Sequence, residues 1–175
     1  MIKFLMISKI INSQVIQLNY EELLIESECS NIITKEKPLN AYDGRINGNK
    51  IAIRRNLSTK EKTCVLAEEL GHYYTTVGNI LDQSHTGNRK QEHHARLWAY
   101  NKLVGLDGIV NAYQHKCRDL YEIADYLEVT EDFLYDTLSA YQNKYGTHVK
   151  YENYIITFIP TLNVNLIQTN PTQQT

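Results

Sequence analysis

The sequence predicts an α+β fold: a mostly helical body, a small antiparallel β-sheet, and a C-terminal pair of helices with helix-turn-helix spacing. Three observations predict it. Ser58-Thr59-Lys60-Glu61 matches a capping box and opens a segment with an apolar stripe at helical period. Asn47-Gly48 lies between two short runs and is a preferred hairpin pair, because both residues tolerate positive φ. From Arg118 onward, two amphipathic runs meet at a short turn near Val129-Thr130. The length of 175 residues fits one domain. The expected organisation is a domain over residues 19–146, with extensions at 1–18 and 147–175.

The elements follow in chain order. The N-terminal MIKFLMISKII is apolar, but Ser8 and Lys9 break it and no small-residue cleavage site follows, so an extension is expected and not a signal peptide. Tyr20, Leu23 and Leu24 at i, i+3, i+4 predict a helix over about 19–30. Asn31 to Lys35 reads as a short strand closed by Pro38. Ile51 and Ile53 alternate on one face of the second hairpin strand. Leu66, Leu70, Tyr73 and Val77 give a helix over about 59–77 its apolar stripe. A loop over 78–88 precedes a helix over about 89–103, which Gly105 and Gly108 are expected to break. Residues 151–168 read as one strand, and the polar end from Gln168 as frayed.

Composition narrows the function. Hydrophobic residues make up 42% and charged residues 22%, an ordinary globular balance. The net charge of −2 argues against a protein that coats nucleic acid or an anionic membrane. No apolar run is long enough to span a bilayer. Cys29, Cys64 and Cys117 are few and scattered, which fits reduced thiols and a cytoplasmic location.

The chemistry concentrates in Glu68-Glu69-Leu70-Gly71-His72. On a helix, Glu68 and His72 are one turn apart and share a face, with Glu69 about 100° round. A metallopeptidase helix needs this arrangement: two ligands one turn apart and a carboxylate beside the first to carry a proton. The usual text is HExxH; here it is EExxH. The same spacing describes a solvated stripe, with Glu61, Glu68 and His72 at i, i+7, i+11. Gly71 tells against that reading. A mid-helix glycine costs about 1 kcal/mol relative to Ala, so a close approach by another backbone is expected there. In the next helix, Glu92 of Gln91-Glu92-His93-His94-Ala95-Arg96-Leu97-Trp98-Ala99 is placed to complete a three-ligand site.

With these motifs in view, the chain over about 20–146 resembles the ImmA/IrrE-type metallopeptidases of prophages and mobile elements, which include anti-repressor proteases. The resemblance rests on the hairpin YDGRINGNKIAI, the helix LAEELGHYYT, the helix QEHHARLWA and the helical pair after them. It implies a zincin-like domain. It also implies that Glu69 is the general base, that His72 and Glu92 are metal ligands, and that Glu68 stands where a histidine ligand is usual. The metal implied is Zn²⁺, with Mn²⁺ or Fe²⁺ favoured somewhat by the extra carboxylate. Three arrangements answer the substitution at Glu68: it ligates in place of the histidine, or His85, His93 or His94 fills the vacancy, or the site is inactive. Tyr74, His85 and His94 are the candidates to stabilise an oxyanion. The strand about Lys50–Arg54 is expected to pair with substrate. Arg96 departs from the small polar residue usual at its position.

The implied activity is endopeptidase cleavage of a protein, by analogy a helix-turn-helix repressor, in the cytoplasm of a bacterial host. The competing reading is an inactive member that binds a repressor without cutting it. Direct nucleic-acid binding is not expected. The second helix of the C-terminal pair carries Glu131, Asp132 and Asp136 and no Lys or Arg before Lys144, and acids there repel phosphate. Arg54, Arg55, Lys60 and Lys62 are expected to form a solvated rim.

Overall fold

A computed structural model describes residues 18–76 and 87–167. Among these residues, the first half of the chain builds a helix, a three-stranded sheet and two long helices. These are α1 (Tyr20–Cys29), β1 (Ile33–Lys37), β2 (Gly44–Asn47), β3 (Lys50–Arg54), α2 (Thr59–Thr76) and α3 (Gly87–Leu103). The second half adds α4 (Gly105–Gln114), α5 (Leu120–Tyr126), α6 (Glu131–Tyr145) and the strands β4 (His148–Tyr151), β5 (Tyr154–Thr157) and β6 (Asn163–Leu166). The architecture is α+β, as the sequence predicts. No helix among the described residues is long and apolar enough to cross a membrane.

Local chemistry accounts for the helix starts. The α1 cap is a capping box: Glu22 N–H donates to Asn19 Oδ1 at 3.1 Å, and Asn19 N–H donates to Glu22 Oε2 at 3.0 Å. The box expected before α2 is present, with Ser58 N–H 2.7 Å from Glu61 Oε2 and Glu61 N–H 3.3 Å from Ser58 Oγ. Thr130 caps α6 by accepting from Phe133 N–H at 3.2 Å. The helical pair is therefore real, and its second helix buries Phe133, Leu134, Thr137 and Tyr141.

The first sheet has the order β1-β3-β2; β1 runs parallel to β3, and β2 antiparallel to it. The hairpin is where the sequence puts it, but its turn is one residue later. Asn47 pairs with Lys50, so Gly48 and Asn49 are the central residues. Gly48 takes φ +60°, and positive φ at the first central position alone is the type II′ arrangement. The shift has a cause in β1: Asn49 O accepts from Ile33 N–H at 2.8 Å, and its side chain donates to Asn31 O at 2.9 Å. The sheet also corrects one expectation. β3 has a neighbour on each side, so it has no edge to offer a substrate; β2 does.

Two further readings change. Gly105 breaks the chain with φ +59°, but Gly108 lies inside α4, a helix the sequence reading does not contain. Burial of Ile109, Val110 and Ala112 overrides the low propensity of the two glycines. Residues after Gly146 form three strands, not one, in an antiparallel sheet of order β4-β5-β6. The turn between the first two is Glu152-Asn153, with Glu152 at φ +51°, a pair without the glycine that signals such turns. Ile156 and Val164 from this sheet, with Phe158 just after β5, join the same core as Leu23, Ile53, Leu66, Leu70 and Leu134.

Candidate metal centre

The site lies where α2 packs on α3 and β2. Gly71 makes the first contact possible. A Cβ at Gly71 would overlap the carbonyl oxygen of Ala95 on α3. The close backbone approach expected from a mid-helix glycine is thus present. It sets His72, the next residue, against α3, where His72 Nε2 is 3.3 Å from Glu92 Oε2. The second contact uses Gly44 of β2. A Cβ there would come within 2.5 Å of Val65 Cγ1 and 2.8 Å of Glu69 Oε1. Only a bare backbone lets β2 lie this close to the Glu69 carboxylate.

The electrostatics of the acids follow from this crowding. Glu69 is pushed up to about 7, first by burial and then by the charge of Glu68, with Glu92 adding to it. A hydrogen bond from the Ile46 backbone works the other way. Glu68 is also raised, again mainly by burial; the Arg96 guanidinium opposes this, while Glu92 and Asp136 reinforce it. The charges of three acids from two helices thus bear on one another, and Glu69 lies near neutrality, where a proton carrier works best.

Arg96 is the cation of this cluster. Its Nε is 2.8 Å from Glu92 Oε1, an i, i+4 pair along α3. Its charge reaches Glu68 and Tyr100 as well. This partnership was legible as spacing, since Glu92 and Arg96 are one turn apart. Gly44, the Ile46 amide and Asp136 were not, because they reach the acids only through tertiary packing.

The remaining candidates are placed as follows. The Tyr74 hydroxyl is 2.7 Å from Ser30 Oγ, and its ring lies 5.1 Å from that of Trp98. Its polar end is therefore engaged with the end of α1. His93 and His94 are exposed on α3, their ring centroids 6.3 Å apart. His94, two residues from Glu92, is about 200° round the helix from it. His85 lies outside the described residues.

The donor set fits a divalent cation in its chemistry: an imidazole nitrogen already beside a carboxylate oxygen, and a second acid one turn before that imidazole. As the side chains stand, no three His, Cys, Asp or Glu among the described residues are grouped closely enough to hold a metal ion. His72 and Glu92 form a two-donor nucleus, and Glu68 must turn toward it to be the third donor.

Of the solvated rim that the sequence predicts, Arg55 is exposed, but Arg54, Lys60 and Lys62 are partly buried and paired. Lys60 pairs with Asp125 at 2.6 Å, Lys62 with Glu36 at 3.0 Å and Arg54 with Asp43 at 3.0 Å. These charges are spent on internal partners. Cys29, Cys64 and Cys117 carry no disulfide.

No curated protein matches the chain. A family model does: the IrrE N-terminal-like domain, Peptidase M78, matches residues 27–139. That interval contains α2, α3, β2 and β3 whole, and so every residue of the acidic cluster. The family is one of metallopeptidases, which implies a divalent metal. By this match, over more than half of its length, the chain belongs to the Peptidase M78, IrrE N-terminal-like family.

Proposed function

We propose that the protein is a metal-dependent endopeptidase whose substrate is a transcriptional repressor of a phage or mobile element. The observation that supports it best is the 3.3 Å approach of His72 to Glu92 across two helices, with Glu69 on the same helix as His72 and raised in part by the charge of Glu92. In this reading Glu68, His72 and Glu92 hold the cation. Zinc suits the set, and the two carboxylates admit manganese or iron. When bound, the cation supplies Lewis acidity toward the scissile carbonyl.

The chain's own residues do the rest. Glu69, near neutrality, accepts a proton from the attacking water and returns it to the leaving amine. Its burial between α2 and β2 keeps that carboxyl from permanent ionisation. Among the described residues β2 is an edge strand whose Ile46 amide is given to Glu69, and an extended substrate segment can add as a strand along the rest of that edge. The acidic face of α6 makes a protein partner more suitable than DNA. The site of action in this reading is the cytoplasm of the bacterial host.

One observation favours a second reading, an inactive member that docks a repressor without cutting it. Arg96 already neutralises Glu92, and Glu68 replaces a neutral donor with a charged one. Incubation with a helix-turn-helix repressor from the same phage or mobile element separates the two. Zinc-dependent cleavage, stopped by chelator and absent in Glu69→Gln, supports the peptidase. An intact repressor that co-elutes with the protein in zinc supports docking. Neither cleavage nor co-elution overturns both.

A further inference from the structure

Glu92 is used twice. One carboxylate oxygen faces His72 at 3.3 Å, and the other accepts from Arg96 at 2.8 Å. A cation held by His72 and Glu92 must therefore share this carboxylate with a guanidinium fixed one turn further along the same helix. We propose that Arg96 is an internal counter-cation that competes with the metal for Glu92, so that the metal is held more tightly as the guanidinium withdraws. This rests on the reading of His72 and Glu92 as metal ligands.

Geometry supports the withdrawal. The Arg96 side chain is 48% exposed, so it can leave Glu92 for solvent without disturbing the core. A half-exposed i, i+4 ion pair holds weakly. The larger effect is repulsion. A fixed positive charge beside a divalent ion in a partly solvated site lowers affinity by about tenfold or more.

The test is titration of zinc chloride alone into chelator-treated protein, followed by calorimetry. Arg96→Gln is expected to bind zinc about tenfold tighter than the parent, or more. Arg96→Lys keeps the charge and is expected to stay near the parent. Arg96→Met serves as a second neutral variant, and circular dichroism checks that each one folds. Equal affinities in the parent, Arg96→Gln and Arg96→Met overturn the proposal while leaving the metal site standing. Lysine and glutamine variants that bind equally tightly overturn it too. No binding by any of them at millimolar zinc overturns the metal site itself, and the proposal with it.

Discussion

Gly71 of α2 lies against the carbonyl of Ala95 on α3, with no room for a Cβ between them. This one contact sets the distance between the helix that carries Glu69 and His72 and the helix that carries Glu92. A residue of low helix propensity is kept in mid-helix because the interface needs its missing side chain.

Gly71→Ala tests that contact. Alanine gains about 1 kcal/mol in helix propensity. It also meets a backbone carbonyl, which cannot rotate away as a side-chain tip can. Overpacking of this kind costs about 1–3 kcal/mol, and here it is expected at the upper end, so the net effect is a loss. Urea unfolding of Gly71→Ala should show a lower midpoint than the parent. A midpoint equal to or above the parent's would mean that the helices separate freely.

Glu69 makes stability depend on pH in a defined window. Its folded value is about 7 against an ordinary 4.5. Between these values the folded state keeps a proton that the unfolded state has lost, so stability falls as pH rises from about 4.5 to 7. Above pH 7 the loss is complete. Glu69→Gln removes it. In chelator, the variant should match the parent near pH 4 and exceed it at pH 8, by about 1–3 kcal/mol. A constant difference across that range would show that Glu69 does not titrate as its surroundings dictate.

Gly44→Ala should act on the site from the sheet side. The new Cβ would press on Val65 and on the Glu69 carboxylate, and β2 must shift to admit it. The flexible Glu69 tip gives way more easily than a backbone would, so a loss of about 1–2 kcal/mol is expected. The pH dependence assigned to Glu69 should shrink together with it. A Gly44→Ala protein with unchanged stability and an unchanged pH profile would separate β2 from Glu69.

Ser58→Ala removes one half of the capping box at the start of α2. The Glu61 amide then loses its partner, at a cost of about 1 kcal/mol. Thermal melts should show a modest fall in Tm with zinc affinity unchanged, because Ser58 lies about four turns from His72.

Some of this molecule could be read from spacing alone. The helices that bear the acids, the cap at Ser58, the hairpin near Gly48 and the shared face of Glu68 and His72 all depend on residues within a turn or two of one another. Even the close approach at Gly71 was legible, because an unfavourable residue in a regular element asks for a neighbour. Helical period, capping and turn chemistry are short-range effects, so the order of residues determines them.

Other features were decided only when distant segments met. α4 forms despite two glycines, because its apolar face is buried. The turn of the hairpin moves by one residue because Asn49 bonds to β1. β3 loses its edge because β1, from earlier in the chain, adds alongside it. The raised value of Glu69 depends on its burial and on the charges of Glu68 and Glu92, and the double use of Glu92 depends on where α2 sets His72. Burial, charge crowding and strand order are properties of surroundings, and those surroundings come from residues far away in sequence. Local sequence therefore determined which side chains share a helix face. The packing of α2 on α3 and β2 decided which of them meet.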